Sequence, residues 1–549
     1  MPEASSAASA AVVRRDEALS GRVLVVDDEL INRTYLRKLL VARGCEVIEA
    51  ASGEEAWRLV QERRPDLVLA DVMMPGMNGY ELCERIKNDP GMADISVIMV
   101  TARAEIQDLE QGFALGAFDY IRKPFNPREL VVRVRNALLL KRSNDELHIW
   151  QRRVSRELDV AGGIQRCILN TTPWLGDDTE VWMNHQPSQH VGGDVFDAIP
   201  LPDGRACVYM GDVAGHGVGP AMVSSLVKAL LSGLVRDLGA QGPGAVIGAL
   251  RKRFEQYVQD PEVYVTLFMA ILDPAIGAWR TVNCGHPMPI LLVGGEDRSS
   301  QLPDRGELPV GINAMVGEAS DTEVLIPASP DSLLVLFTDG LTEARLAESR
   351  EECGVARLVS RIQSGMANDP LGDPLGGLIG RLAEEGYNVG GDDCSLLAVR
   401  QPATPPLLAR EVEPSLQAVD RLGQEVARAL ITVGWGEDAA AAVRLMVAEH
   451  AVNVLRHNQS GERLQLRCQL RVAKDTARLV FHDMGREWQF EEALERVQRR
   501  ARIDDESGRG LKIIQALASG IFQYRRDDRN VMLYKVEKGR VSAPPLGEA

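Results

Sequence analysis

Leu67-Val68-Leu69-Ala70-Asp71-Val72-Met73-Met74-Pro75-Gly76 runs from an apolar strand, through an acidic residue, into a proline–glycine turn. A carboxylate at the C-terminal edge of a buried strand stands where open α/β sheets hold ligands. Upstream, Val23-Leu24-Val25-Val26 is a second apolar strand, ending in Asp27-Asp28-Glu29. Downstream, Val97-Ile98-Met99-Val100 ends in Thr101, and Tyr120-Ile121-Arg122 leads into Lys123-Pro124. Three carboxylates, a hydroxyl and an ammonium thus fall at the strand ends of one βα repeat. That set suits Mg²⁺-assisted phosphoryl transfer onto a carboxylate. Strands alternate with amphipathic helices over residues 21–140, which predicts a doubly wound parallel sheet.

The chain of 549 residues is long enough for three or four domains. Its formal charge of −16 argues against a nucleic-acid-binding surface, which needs a basic patch. The eight cysteines show no Cys-x-x-Cys spacing, so neither a zinc site nor a disulfide framework is expected, and the location is read as cytoplasmic. No membrane span is expected. The most apolar run, from Ala221 to Val235, carries Ser224, Ser225, Lys228 and Ser232 and reads as a buried amphipathic helix. Residues 1–20 lack the apolar core of a signal peptide and read, with 538–549, as disordered tails. A helical pattern over 128–162 links the first domain to the rest. Leu140, Leu147, Val154 and Ala161 recur every seven residues along it, a stripe that suits a coiled-coil seam between two copies.

Residues 163–400 mix short strands, helices and glycine-rich turns. Four acidic motifs stand out: Val191-Gly192-Gly193-Asp194, Gly211-Asp212-Val213-Ala214-Gly215-His216-Gly217, Thr338-Asp339-Gly340 and Gly391-Asp392-Asp393. Taken singly, each Asp-Gly pair is a plain turn. Together, carboxylates at strand ends, without cysteine or clustered histidine, select hard cations such as Mg²⁺ or Mn²⁺. Two such ions would activate water for in-line attack on a phosphate ester. His216 and His286 read as turn and structural residues. Gln401-Pro402-Ala403-Thr404-Pro405-Pro406 is a stiff linker. Within 407–537, Glu449 and Asn453 lie four apart on one helical face, a spacing that suits a carboxylate base and a Mg²⁺-binding amide. Asp483-Met484-Gly485 and Gly508-Arg509-Gly510 follow, the latter offering backbone N–H groups to phosphates at a helix start.

These motifs carry three resemblances. Residues 21–140 resemble a response-regulator receiver domain. That likeness implies Mg²⁺ on Asp27, Asp28 and Asp71, Asp71 as phosphoacceptor from a sensor histidine kinase, and Thr101, Tyr120 and Lys123 as the switch residues. Residues 163–400 resemble the metal-dependent (PPM-type) Ser/Thr phosphatases, in the bacterial branch that controls sporulation and stress sigma factors. Here the likeness implies an αββα sandwich and two Mn²⁺ or Mg²⁺ ions on Asp194, Asp212, Asp339, Asp392 and Asp393, with the Val213 carbonyl as a backbone ligand and Asp197 close behind. Residues 407–537 resemble the GHKL ATPases in their anti-sigma-factor serine-kinase form. Glu449 is then the base and Asn453 holds the Mg²⁺ of ATP, with Asp483, Gly485, Gly508 and Gly510 around the nucleotide. Two departures stand out: Glu487 replaces a glycine, and the threonine of the final strand is missing. The combined expectation is a partner-switching regulator. Its phosphatase would act on a STAS-type anti-sigma-factor antagonist, which the last domain would rephosphorylate. The alternative is a phosphorylation-gated scaffold that sequesters a sigma factor or antagonist.

Overall fold

The computed structural model describes residues 19–102, 112–124, 126–169, 172–176, 179–202, 204–303, 305–312, 322–347, 349–402, 405–457, 464–499, 509–526 and 529–541. The chain divides into two compact units, between Glu157 and Leu158.

The first unit is built on five parallel strands: β1 (Arg22–Val26), β2 (Glu46–Ala50), β3 (Leu67–Asp71), β4 (Ser96–Thr101) and β5 (Asp119–Arg122). Their spatial order is β2-β1-β3-β4-β5. Helices α1 (Leu30–Val41), α2 (Gly53–Arg63) and α3 (Gly79–Asn88) connect them. Every residue of β3 is buried, because a parallel sheet is covered on both faces, and the apolar run in the sequence reflects this. Asn78 and Glu81 form a reciprocal capping box that starts α3 just after the turn following Asp71. Helix α4 (Pro127–Ile168) is longer than the 128–162 expected.

The second unit opens with a two-sheet sandwich. One sheet has the order β14-β11-β10-β9-β8, from β8 (Val195–Pro200), β9 (Ala206–Val213), β10 (Val265–Asp273), β11 (Ala278–Cys284) and β14 (Val324–Pro327). The other has the order β13-β12-β15-β16-β7-β6, from β6 (Trp174–Leu175), β7 (Glu180–Gln186), β12 (Ile290–Val293), β13 (Glu296–Asp297), β15 (Ser332–Phe337) and β16 (Cys394–Gln401). Phe196, Met210, Phe268, Leu334 and Leu397 fill the space between the sheets. Alternate residues of β9 and β10, such as Tyr209 and Met269, point the other way, against α5 (Val218–Leu238) and α6 (Pro243–Tyr257). The outer face of the second sheet packs on α7 (Asp339–Thr342), α8 (Gly354–Asn368) and α9 (Leu378–Glu384). The result is an αββα sandwich.

By length and composition alone α5 passes as a membrane span, with a mean hydropathy of 1.6 over an 18-residue window, so the sequence-based exclusion of such a run is corrected. Its Val227, Leu231 and Val235 belong to the core, as expected of a buried helix, and two of its polar residues are buried with them. Ser224 is buried, and Lys228 donates to the Phe196 carbonyl at 3.0 Å.

The rest of the unit is a five-stranded sheet of order β17-β18-β19-β21-β20, from β17 (Leu408–Val412), β18 (Leu466–Ala473), β19 (Thr476–Asp483), β20 (Gly520–Arg526) and β21 (Arg529–Glu537). Leu479, Phe481, Met532 and Tyr534 face α10 (Leu416–Thr432), α11 (Glu437–His457) and α13 (Arg509–Leu517), while α12 (Phe490–Arg499) lies alongside. The intervening Val480, Val531 and Leu533 join the core of the phosphatase-like sandwich. The closing strand is therefore apolar on both faces because both are covered. At this junction Glu180 of β7 is fully buried among Arg400 of β16, Arg471 of β18 and Arg478 of β19. Both expected tails are shorter than predicted, since Leu19 and Val541 are buried in their respective cores.

Candidate functional site

Parallel register brings the strand ends of the first unit together: Ala70 pairs with Val26 and Asp71 with Val100. Oxygens of Asp27, Asp28 and Asp71 lie within 4.8 Å of one another, close enough to share one ion. The Lys123 ammonium reaches Asp71 Oδ2 at 2.6 Å and Asp27 Oδ2 at 2.7 Å. Burial works against charge on Lys123, but these two hydrogen bonds outweigh it and raise its pKa. Burial also lifts the pKa of Asp71, assisted by Asp27 and only partly offset by Lys123. The Asp71 carboxylate is thus under electrostatic pressure that a divalent cation would relieve. Thr101 is buried at the end of β4. Tyr120 is turned inward, its ring edge-on to Phe113 with centroids 5.2 Å apart.

In the sandwich, Asp194 precedes β8, Asp212 is in the last turn of β9, Asp339 opens α7, and Asp392 and Asp393 precede β16. Asp194 is buried; its Oδ2 accepts from Ser395 Oγ at 2.5 Å and Thr338 Oγ1 at 3.1 Å, while Oδ1 has no hydrogen-bond partner. Burial raises the Asp212 pKa to about 7, aided by repulsion from Asp339, Asp392 and Asp393. Burial and then Asp212 raise Asp194, and burial and then Asp392 raise Asp339. Such mutual repulsion, with an orphaned buried oxygen, fits a site for divalent cations. A Cβ on Gly193 would lie 3.0 Å from both Asp212 Oδ1 and the Val213 carbonyl oxygen, so the missing side chain leaves two hard oxygens side by side.

Two expectations are adjusted. Both oxygens of Asp393 are spent on protein: Oδ1 accepts from Ser188 N at 2.8 Å and Ser188 Oγ at 3.0 Å, and Oδ2 from Gly193 N at 2.6 Å. It clamps the Gly192-Gly193 loop, whereas the side chain of Asp392 is exposed beside Asp339. Asp197 pairs with Lys228 at 3.2 Å, not with the acidic cluster. His286 is buried, its Nδ1 3.1 Å from Thr266 Oγ1, and burial lowers its pKa to about 3, a structural role. His216 is exposed between Gly215 and Gly217, both with positive φ, as expected of a turn. Sequence reading missed Gln165 at the end of α4. Its buried amide donates to the Gly192 carbonyl at 2.6 Å and Ser224 Oγ at 3.0 Å, and accepts from Gly192 N at 3.0 Å. The helix after the receiver therefore grips both the Asp194 loop and α5. A glutamine among apolar neighbours was the only local signal.

In the last sheet, Asp483 is buried, and its Oδ1 accepts from Gly485 N and from Asn530 Nδ2, each at 2.9 Å. Burial raises its pKa, and the Asn530 bond partly counters this. Asn530 pairs with Asp483 across β19 and β21, and its amide orients this carboxylate. Asn453 is buried on α11 with Nδ2 unpartnered, and a Cβ on Gly510 would strike Glu449 Oε2 at 2.2 Å. Glu449, Asn453 and the start of α13 therefore meet. Gly508 lies outside the described residues.

Comparison with known proteins agrees with this division. The response regulator receiver domain family matches residues 23–135, the Stage II sporulation protein E family matches 202–402, and the histidine kinase-like ATPase domain family matches 412–534. The chain thus joins a receiver, a sporulation-type phosphatase domain and an ATPase-like domain, in that order. It is 44% identical over 116 residues to the phosphate regulon transcriptional regulatory protein PhoB of Pseudomonas aeruginosa, covering 21% of this chain and 51% of that protein. It is equally identical over 117 residues to the probable transcriptional regulator ycf27 of Cyanophora paradoxa, covering 21% and 48%. The chain spans about half the length of these curated relatives. Among solved structures, the RsbU and RsbW domains of a Mycobacterium tuberculosis protein are 20% identical (66% of this chain, 93% of that one, TM-score 0.37). The SiaA-PP2C domain of Pseudomonas aeruginosa is 21% identical (46% and 98%, TM-score 0.39).

Proposed function

We propose that the chain is a two-component response regulator whose output is metal-dependent dephosphorylation of a protein phosphoserine or phosphothreonine. The observation that carries this reading is the cluster of Asp194, Asp212, Asp339 and Asp392, in which burial and then repulsion among the carboxylates raise the pKa of Asp194, Asp212 and Asp339, a strain that cations would relieve. Two Mn²⁺ or Mg²⁺ ions bound there would supply an activated water. Thr338 and Ser395 fix Asp194 by hydrogen bonds, and Asp393 fixes the loop that presents Gly193 beside Asp212. Asp71, loaded by a sensor histidine kinase, would act through α4, whose Gln165 holds the Asp194 loop and α5.

The substrate in this reading is a STAS-type anti-sigma-factor antagonist, in the cytoplasm. Glu449 and Asn453 would serve the reverse phosphorylation with ATP-Mg²⁺. Leu140 and Leu147, each about half exposed on α4, would meet a second copy in a homodimer. Glu487 at a position where glycine is expected favours a second reading for the last domain only, a scaffold that binds a sigma or anti-sigma factor without catalysis. The test is to incubate the protein with a phosphorylated STAS protein and Mn²⁺, with and without phosphate on Asp71, and then to add ATP. Phosphate release that depends on the metal and changes with Asp71 phosphorylation is expected. No release with either metal would refute the phosphatase reading. Absence of ATP binding by calorimetry would leave the scaffold for the last domain.

A further inference from the structure

Along the middle of β7 and β16 the residues that point between the two sheets of the sandwich are apolar: Val181 and Met183 on β7, Leu397 and Val399 on β16. The next inward positions, towards the acidic cluster, are His185 and Ser395, which stand opposite each other in the register of the two strands. The strand period thus carries a polar pair into an apolar layer, and buried polar groups are kept there by their partners. His185 Nδ1 lies 2.9 Å from Ser395 Oγ, and Ser395 Oγ lies 2.5 Å from Asp194 Oδ2. The His185 ring is tilted against Phe196 with centroids 5.4 Å apart, and Ser395 is fully buried.

Counting protons gives this chain of contacts a direction. A serine hydroxyl carries one proton, and an ionised carboxylate carries none. With Asp194 ionised, as a carboxylate that holds a cation is, Ser395 spends its proton on Oδ2. The contact with His185 then needs Nδ1–H as the donor, and the two hydrogen bonds run the same way and polarise each other. In the opposite tautomer Nδ1 would compete with Asp194 for the Ser395 proton. Thr338 Oγ1 lies 3.1 Å from the same Asp194 oxygen and accepts from Ser395 N at 2.9 Å. Oδ2 is therefore occupied by protein, while Oδ1 has no hydrogen-bond partner. We propose that His185 is a positioning residue for the cation site: by donating to Ser395 it turns that hydroxyl onto Asp194 Oδ2 and leaves Oδ1 as the oxygen presented to a divalent cation. The inference rests on the metal-binding part of the reading above, and not on phosphate release.

The test is calorimetric titration of the full chain with Mn²⁺, the heat of the acidic cluster being the part lost in Asp212→Asn. His185→Leu keeps the bulk but has no donor, and should weaken that binding about tenfold, the usual effect of removing a partner behind a metal ligand. An asparagine amide nitrogen takes the place of histidine Nδ1, so His185→Asn should restore affinity to near that of the wild type. Ser395→Ala should lose as much as His185→Leu, and adding His185→Leu to it should cost nothing more, because the histidine acts through the hydroxyl. Unchanged affinity in His185→Leu, equal losses in the Leu and Asn variants, or a further loss on top of Ser395→Ala would each overturn the proposal. Should His185→Leu fail to fold, unchanged affinity in Ser395→Ala overturns it. Absence of any Asp212-dependent heat in the wild type would overturn it together with the cation site. Mn²⁺ binding that follows the expected pattern without hydrolysis of p-nitrophenyl phosphate would refute the phosphatase reading alone.

Discussion

Replacing Glu180 by Gln removes one negative charge and almost no volume from the junction of the sandwich and the last sheet. Burial alone would raise the Glu180 pKa, yet Arg400 and Arg478 overcome it and hold it at about 2, against an ordinary 4.5. At about 1.4 kcal/mol per unit this corresponds to about 3 kcal/mol of stability. The folded pKa is depressed, so that stability is fully present above about 4.5 and is lost as pH falls towards about 2. The same figure follows from removing one partner of a buried ion pair, about 3–5 kcal/mol, because the arginines stay behind uncompensated. Glu180→Gln should therefore lower the calorimetric midpoint of the second unit by roughly 4–8 °C at neutral pH, and the gap to the wild type should narrow below pH 4.5. Proteolysis near residues 401–407 should quicken as the last sheet undocks. Glu425→Gln is the internal control: its partner Arg410 is exposed, and loss of that pair should change little. A midpoint within about 1 °C of the wild type, with unchanged proteolysis, would refute the view that this carboxylate holds the two domains together.

Asp71→Asn should abolish phosphate incorporation from a phosphodonor, read by a mobility shift on a phosphate-affinity gel; a retained shift would move the acceptor elsewhere. Gln165→Ala leaves the Gly192 N–H without its side-chain partner and the Gly192 carbonyl with only Ser224 Oγ at 3.4 Å, a loss of about 1–3 kcal/mol, and should cut Mn²⁺-dependent hydrolysis of p-nitrophenyl phosphate at least tenfold. An unchanged rate would show that the Asp194 loop holds itself. Adding Mn²⁺ to metal-free protein should raise the unfolding midpoint, because cations relieve the repulsion around Asp212, and Asp212→Asn should blunt that rise. Asn530→Ala removes a donor from the buried Asp483 carboxylate and should weaken ATP binding about tenfold by calorimetry; equal affinity would deny Asn530 its orienting role.

Local chemistry explains why so much of this was legible. Asp27, Asp71, Asp194, Asp212 and Asp339 each sit where an apolar strand or turn ends, and glycines beside Asp194, Asp212 and Asp339 mark tight backbone. Strand period and apolar runs were enough to place the doubly wound sheet, whereas the sandwich was expected only through the resemblance that the acidic motifs carry. Polarity alone did not show the partners of the polar residues on the buried helix α5: Lys228 spends its charge on Asp197 and the Phe196 carbonyl inside the fold.

By itself the sequence determined the order of the three domains and the acidic motifs at their strand ends, because each depends on residues adjacent in the chain. Only the tertiary structure decided how those motifs are used. Asp393 clamps Gly193 across 200 residues, Gln165 grips Gly192 across 27, and Glu180 meets Arg478 across 298. No local pattern encodes such partners. They exist because folding withdraws these groups from water, and a buried charge or amide must then find its counterpart wherever the chain has brought one.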